Sequence, residues 1–92
     1  MGWKERGGLV NWYVYILRCR DGSLYTGITD DVDRRLAAHR TGKGAKYTRG
    51  RGPLELIYTE EHPDKGSALR REYAIKQLRR EEKEQLIRGE AE

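Results

Sequence analysis

At 92 residues and 10.7 kDa, with 36% hydrophobic and 37% charged residues and a mean hydropathy of −0.97, the chain has room for one domain around a small core. No apolar stretch approaches the roughly 18 residues that cross a bilayer, and no apolar segment follows the charges of Met1-Gly2-Trp3-Lys4-Glu5-Arg6, so a soluble cytoplasmic protein is expected. The single cysteine, Cys19, excludes an internal disulfide framework, and with only His39 and His62 beside it a structural zinc site is excluded too.

Residues 1–10 are polar and glycine-rich and are expected to fray. Asn11 to Cys19 (NWYVYILRC) is dense in aromatic and β-branched residues and predicts a strand. Arg20-Asp21-Gly22-Ser23 is a turn, and Leu24 to Thr29 (LYTGIT) a second strand, so the pair forms a hairpin. Thr29, Asp30 and Asp31 offer an N-cap to a helix carrying Val32, Leu36 and Ala37, which runs to about Arg40 and closes near Gly42. A basic glycine loop, GKGAKYTRGRGP, follows over residues 42–53. Leu54 to Thr59 predicts a third strand. Pro63-Asp64 starts a helix with apolar positions Ala68, Leu69, Tyr73, Ile75 and Leu78. Residues 79–88 are helical as well, anchored by Leu86 and Ile87, either continuing that helix or forming another. The predicted order is β-β-α-β-α-α. It describes an α+β fold, one domain over residues 11–88, with a three-stranded antiparallel sheet flanked by helices.

The hairpin register decides which side chains share a face. A two-residue Asp21-Gly22 turn would pair Arg18 with Tyr25 and send Tyr15 and Tyr25 to opposite faces. A three-residue loop with Gly22 left-handed pairs Cys19 with Ser23, Leu17 with Tyr25, Tyr15 with Gly27 and Tyr13 with Thr29. Tyr13, Tyr15 and Tyr25 then share one face, with open space expected at Gly27 beside Tyr15. Trp12, Val14, Ile16, Leu24 and Ile28 make an apolar face opposite. The second register is favoured because it separates the two kinds of face.

The formal net charge of +4 is unevenly placed. Residues 34–54 hold seven basic side chains, Arg34, Arg35, Arg40, Lys43, Lys46, Arg49 and Arg51, and no acidic one. The other 71 residues carry 12 basic and 15 acidic side chains, a net −3. A local patch of this kind attracts a polyanion. In the loop, glycines let backbone N–H groups approach phosphates, Lys43, Lys46, Arg49 and Arg51 can pair with them, and Tyr47 can stack on an unpaired base. A solvated, solubilising loop has the same composition.

A further set carries chemistry. Tyr15, Tyr25, Arg35, His39 and Glu72 supply two phenols, a guanidinium, an imidazole and a carboxylate. Arg35 and His39 stand at i and i+4 on one helix face. Such a set suits phosphodiester cleavage. Arginine neutralises phosphate charge, and a single carboxylate can hold Mg²⁺ or Mn²⁺ largely through water. A phenolate favoured by metal and arginine can act as base. Each residue also has a plain reading: packing tyrosines, a surface histidine, a Glu72–Lys76 helix pair.

Tyr13-Val14-Tyr15 and Tyr25-Thr26-Gly27, with Arg35 ten residues beyond Tyr25, resemble the paired motifs and arginine of the GIY-YIG nuclease superfamily. The run from Tyr13 to about Leu78, glycine loop included, is similar to its small stand-alone bacterial branch. The resemblance implies a DNA nuclease using one divalent ion. Tyr15 and Tyr25 would be its active-site tyrosines, Arg35 its phosphate contact, His39 an auxiliary residue and Glu72 the metal ligand. The substrate would be structured or single-stranded DNA in repair or recombination, with a protein partner supplying specificity. Tyr13 replaces the first motif's glycine and Thr26 the second motif's isoleucine. Ile28 stands where excision-repair relatives carry lysine, and Glu84 where some relatives have asparagine. Two other readings share these residues: a DNA-binding or scaffold module with little catalysis, and action on RNA.

Overall fold

The structure, a computed structural model, describes residues 11–90, so the fraying expected at 1–10 lies outside the described residues. Strands β1 (Trp12–Arg18) and β2 (Leu24–Thr29) are joined by a three-residue loop in which Gly22 takes φ +86°. The Cys19 N–H donates to Ser23 O and the Gly22 N–H to Cys19 O, both at 2.9 Å. Asp21 Oδ1 accepts from the Ser23 N–H and hydroxyl at 3.0 and 2.6 Å, which braces the turn. Leu17 faces Tyr25, Tyr15 faces Gly27 and Tyr13 faces Thr29, the register expected from face separation.

Strand β3 (Glu55–His62) pairs antiparallel with the other edge of β1, giving the order β2-β1-β3. It runs three residues beyond the expected end at Thr59. A bulge sets Tyr58 opposite Ile16 but Leu56 opposite Leu17, so Ile57 is the extra residue. The bulge sends Leu56 to one core while Ile57 and Tyr58 serve the other.

Two cores sandwich the sheet. Helices α2 (Lys65–Lys76) and α3 (Arg80–Ile87) supply Ala68, Ile75 and Leu86 to the face of Val14 and Ile16, with Trp12, Leu24 and Ile28 at its margin. The tyrosine face carries a second core of Tyr15, Leu17, Cys19 and Leu54, to which α1 (Val32–Arg40) adds Leu36. Val14 to Leu17 are consequently buried on both sides of the sheet. Asp31 caps α1 by accepting from Arg34 N–H at 3.1 Å, and Asp64 caps α2 by accepting from Ser67 N–H at 2.7 Å.

The last two helices are separate. Gln77 ends α2, and Glu82 Oε1 accepts the Arg79 N–H at 2.8 Å to begin α3. Two of the apolar positions of α2 stay outside the core: Leu69 is 44% exposed and Tyr73 is 69% exposed. Ala68 and Ile75, two turns apart, define the stripe that meets the sheet. Leu69 and Tyr73 lie one residue round from it and two residues short of its end.

This placement predicts a contrast. Ile16→Ala should lower the unfolding free energy by about 2–5 kcal/mol, whereas Leu69→Ala and Tyr73→Ala should each stay within about 1 kcal/mol of wild type in urea titrations. Comparable losses at all three positions would contradict the packing.

Candidate active site

Helix α1 begins two residues beyond β2, where the Thr29 hydroxyl accepts the Asp31 N–H at 3.1 Å. This short connection lays the helix over the tyrosine face, with Leu36 in the core beneath. His39, near its end, meets Tyr15: Tyr15 Oη lies 2.7 Å from His39 Nε2, and each residue is only 2% exposed. The Tyr25 ring packs edge-on against His39 at 5.2 Å between centroids and is tilted against Tyr15 at 6.2 Å. Arg35, one turn before His39, lies near enough to Tyr15 and Tyr25 to act electrostatically on both phenols. Tyr15, Tyr25, Arg35 and His39 thus come together on the tyrosine face, without the Glu72 that was expected to converge with them.

Gly27 does not leave open space beside Tyr15. A Cβ there would fall 2.6 Å from Tyr15 Oη and 3.0 Å from the Tyr25 ring, so the two phenols occupy that room. A second glycine works in the same way from the loop. A Cβ on Gly44 would fall 2.3 Å from His39 Nδ1, so the loop backbone closes directly over the imidazole. The sequence suggested phosphate approach for this glycine, but the neighbour it approaches is His39.

The electrostatics reverse one expectation. Burial pushes the Tyr15 phenol up to about 12, outweighing the help of Arg35, and nearby Tyr25 adds to the rise. A phenolate is therefore disfavoured in the free protein. His39 moves down from 6.5, first through burial and then through the positive charge of Arg35. Hydrogen bonding to Tyr15 holds Arg35 above its ordinary value and keeps it charged. At neutral pH the pair is a neutral phenol beside a neutral imidazole, an arrangement able to pass a proton without forming a free phenolate.

The basic loop is partly ordered by a 3₁₀ turn, Lys46–Thr48, that the sequence did not announce. Lys43, Lys46 and Arg49 are exposed and make no ion pair among the described residues. Arg51 is already engaged: it pairs with Asp21 at 2.6 Å and lies 4.5 Å over the Tyr47 ring. Tyr47 in turn stacks on Tyr25 at 5.8 Å, so its ring has protein neighbours in place of the nucleobase the sequence suggested. Glu72 stands outside the hydrogen-bonded group. Its carboxylate pairs with Lys76 at 3.1 Å, which is the plain helix reading. No group of three or more His, Cys, Asp or Glu forms a metal cage among the described residues, and no helix among them is long and apolar enough to cross a membrane.

Thr48 escaped notice in the sequence. It is 2% exposed, and its Oγ1 lies 2.8 Å from His39 Nδ1. Its one local signal is being a small hydroxyl residue inside a basic loop, and that says nothing about a histidine nine residues earlier. Asp21 was legible as a turn residue but not as the partner of Arg51.

Known proteins match most of this chain. A family model described as the GIY-YIG catalytic domain matches residues 11–85. The UPF0213 protein BH0048 of Halalkalibacterium halodurans is 60% identical over 78 residues, which are 85% of this chain and 83% of that protein. The UPF0213 protein OB0043 of Oceanobacillus iheyensis is 61% identical over 75 residues, 82% of this chain and 87% of the relative. The solution NMR structure of BH0048, covering the same 85% and 83%, aligns with a TM-score of 0.57 at 60% identity. That of protein EF2693 from E. faecalis aligns with a TM-score of 0.61 at 42% identity, covering 86% of this chain and 84% of that one.

The buried imidazole predicts an acid sensitivity. Folded His39 binds its proton less readily than in the unfolded chain. As pH falls below about 6.5, the unfolded chain takes up more protons and stability declines through the lower folded value. Glu60, whose pKa also lies below its ordinary 4.5, contributes only in stronger acid. Thermal melts at about pH 7.5 and about pH 5.5 should therefore differ more for wild type than for His39→Gln. Equal differences in the two proteins would contradict the assignment.

Proposed function

This chain belongs to the GIY-YIG catalytic domain family, a nuclease family, and on that premise we propose that it hydrolyses DNA phosphodiester bonds with a divalent metal ion. Structured or nicked DNA in repair or recombination is the substrate class, reached in the cytoplasm with a protein partner adding specificity. The observation that carries the reading is the 2.7 Å contact between Tyr15 Oη and His39 Nε2, buried beside Arg35. A module that only grips DNA has no need of a buried phenol–imidazole pair.

In this mechanism Arg35 receives the scissile phosphate and offsets the charge that grows on its oxygens. A water attacks phosphorus in line. Tyr15 Oη takes the proton of that water while its own proton passes to His39 Nε2, so the phenol never becomes a free anion. The new oxygen–phosphorus bond replaces the bond to the leaving oxygen, which takes a proton from solvent. Tyr25 packs against both Tyr15 and His39 and keeps the pair in register.

The protein's donor set for the metal would be sparse. One carboxylate, Glu72, is a hard oxygen ligand of the kind Mg²⁺ or Mn²⁺ accepts while keeping waters and phosphate oxygens. Glu72 would exchange Lys76 for the ion. When bound, the ion supplies Lewis-acid stabilisation of the phosphoryl and leaving oxygens. Lys43, Lys46 and Arg49 grip the backbone, joined by Arg51 and Tyr47 at the edge of the site.

Two measurements test this. Branched, flapped and nicked DNA should be cut with Mg²⁺ or Mn²⁺, and Arg35→Ala and Glu72→Ala should each lower cleavage by about 100-fold or more while retaining binding. The rate should rise with pH through a midpoint below about 6.5 and stay level through neutrality, since Tyr15 titrates only near 12. Binding without cleavage on every substrate and with both metals would sink the nuclease reading. Separately, replacing Lys43, Lys46 and Arg49 by alanine should flatten the slope of log K against log salt by about 0.9 for each lost phosphate contact. An unchanged slope would remove the loop from the interface.

A further inference from the structure

The proton path above needs His39 in one of its two neutral forms, with the lone pair on Nε2 facing Tyr15. Neighbours at both ends of the ring select that form. Thr48 Oγ1 lies 2.8 Å from Nδ1, and its hydroxyl donates to Ala45 O at 2.9 Å, the back-bond common for threonine in a helical turn. A hydroxyl has one proton. With that proton on the Ala45 carbonyl, Oγ1 presents only lone pairs to the ring, so Nδ1 must carry the hydrogen. At the other end the Tyr15 hydroxyl lies 2.7 Å from Nε2, so with the ring hydrogen on Nδ1 the Tyr15 proton has Nε2 as its acceptor.

We propose that Thr48 is a positioning residue that holds buried His39 as the Nδ1–H tautomer, so that Nε2 is the acceptor of the Tyr15 proton. Gly44 makes the contact possible, because any side chain there would meet Nδ1 before Thr48 did. The loop therefore has a second task besides holding charge. Its 3₁₀ turn carries Thr48 inward while Lys46 and Tyr47, its neighbours, remain exposed. The use of the tautomer rests on the nuclease reading, but its existence does not.

The experiment is a long-range ¹H–¹⁵N correlation spectrum of the His39 ring above its titration, in wild type, Thr48→Ser and Thr48→Val. Wild type and Thr48→Ser should show a pyrrole-type Nδ1 and a pyridine-type Nε2. Valine matches threonine in shape but cannot accept, so the variant should show the two nitrogens averaged or exchanged. On a cleavable DNA, Thr48→Val should lose about 10- to 100-fold in kcat with KM little changed, as outer partners of a reacting imidazole do, and Thr48→Ser should restore the rate. A wild-type protein with a pyridine-type Nδ1 overturns the proposal, whether or not the valine variant folds. So does a Thr48→Val protein whose ring nitrogens match wild type. Expected spectra without cleavage of any DNA support the tautomer and count against the nuclease reading alone.

Discussion

The closure of one hairpin governs the rest of the molecule. Gly22 in its left-handed conformation makes the loop three residues long and sets Tyr15 opposite Gly27. A slip of one residue would turn Tyr15 and Tyr25 to opposite faces, because side chains alternate along a strand. With β1 held by β3 on its other edge, the same slip would carry Leu24 and Ile28 of β2 off the face that α2 and α3 cover. Core and site are thus specified by one register, and neither can be changed alone. Packing of Leu24 and Ile28 beside Val14 and Ile16 stabilises the register that gathers the phenols, so the stability of the fold and the geometry of the site have a common source.

Burial then determines what the gathered groups can do. A tyrosine on an open sheet face beside Arg35 would lose its proton more readily. Here α1 and the glycine loop cover that face, and desolvation outweighs the arginine. The same desolvation keeps His39 neutral, with Arg35 adding to the effect. One environment therefore moves the two groups in opposite directions, and both stay neutral at pH 7. Glycines on both sides make the fit tight: Gly27 leaves the Tyr15 and Tyr25 rings room, and Gly44 brings loop backbone against His39.

Much of this was legible in the sequence because it depends on short-range rules. Strand periodicity and turn chemistry sufficed for the Tyr15–Gly27 register, and helical spacing for Arg35 and His39 on one face. Leu69 and Tyr73 misled because apolar character marks a helix but not which side of it meets the sheet. The bulge at Ile57 and the length of β3 depend on demands from two cores at once, which no local pattern records. Thr48 was invisible for a similar reason. It reaches His39 across a loop closure, and its environment exists only after the chain has folded. The direction of the Tyr15 shift also needed the structure, since sequence supplies neighbours but not the depth at which they lie.

The positive patch takes on a different meaning once its charges are followed individually. Seven basic residues between 34 and 54 suggested a uniform grip. Arg34 pairs with Asp30, Arg35 engages the phenols, Arg40 donates to the Leu54 carbonyl and Arg51 pairs with Asp21. Four of the seven thus have partners within the domain, and the exposed cations Lys43, Lys46 and Arg49 lie in the glycine loop. Lys43 and Arg49 lie on either side of the turn that carries Thr48 to His39, Lys46 begins it, and Tyr47 within it stacks on Tyr25. The exposed cations therefore sit on a segment in direct contact with the buried pair. Arg51 ties the loop to the hairpin, because its carboxylate partner sits in the hairpin turn and its guanidinium lies over Tyr47. The turn that fixes the register and the ring that packs on Tyr25 are thus joined through one guanidinium, so the hairpin, the loop and the buried pair form one connected unit in this small domain.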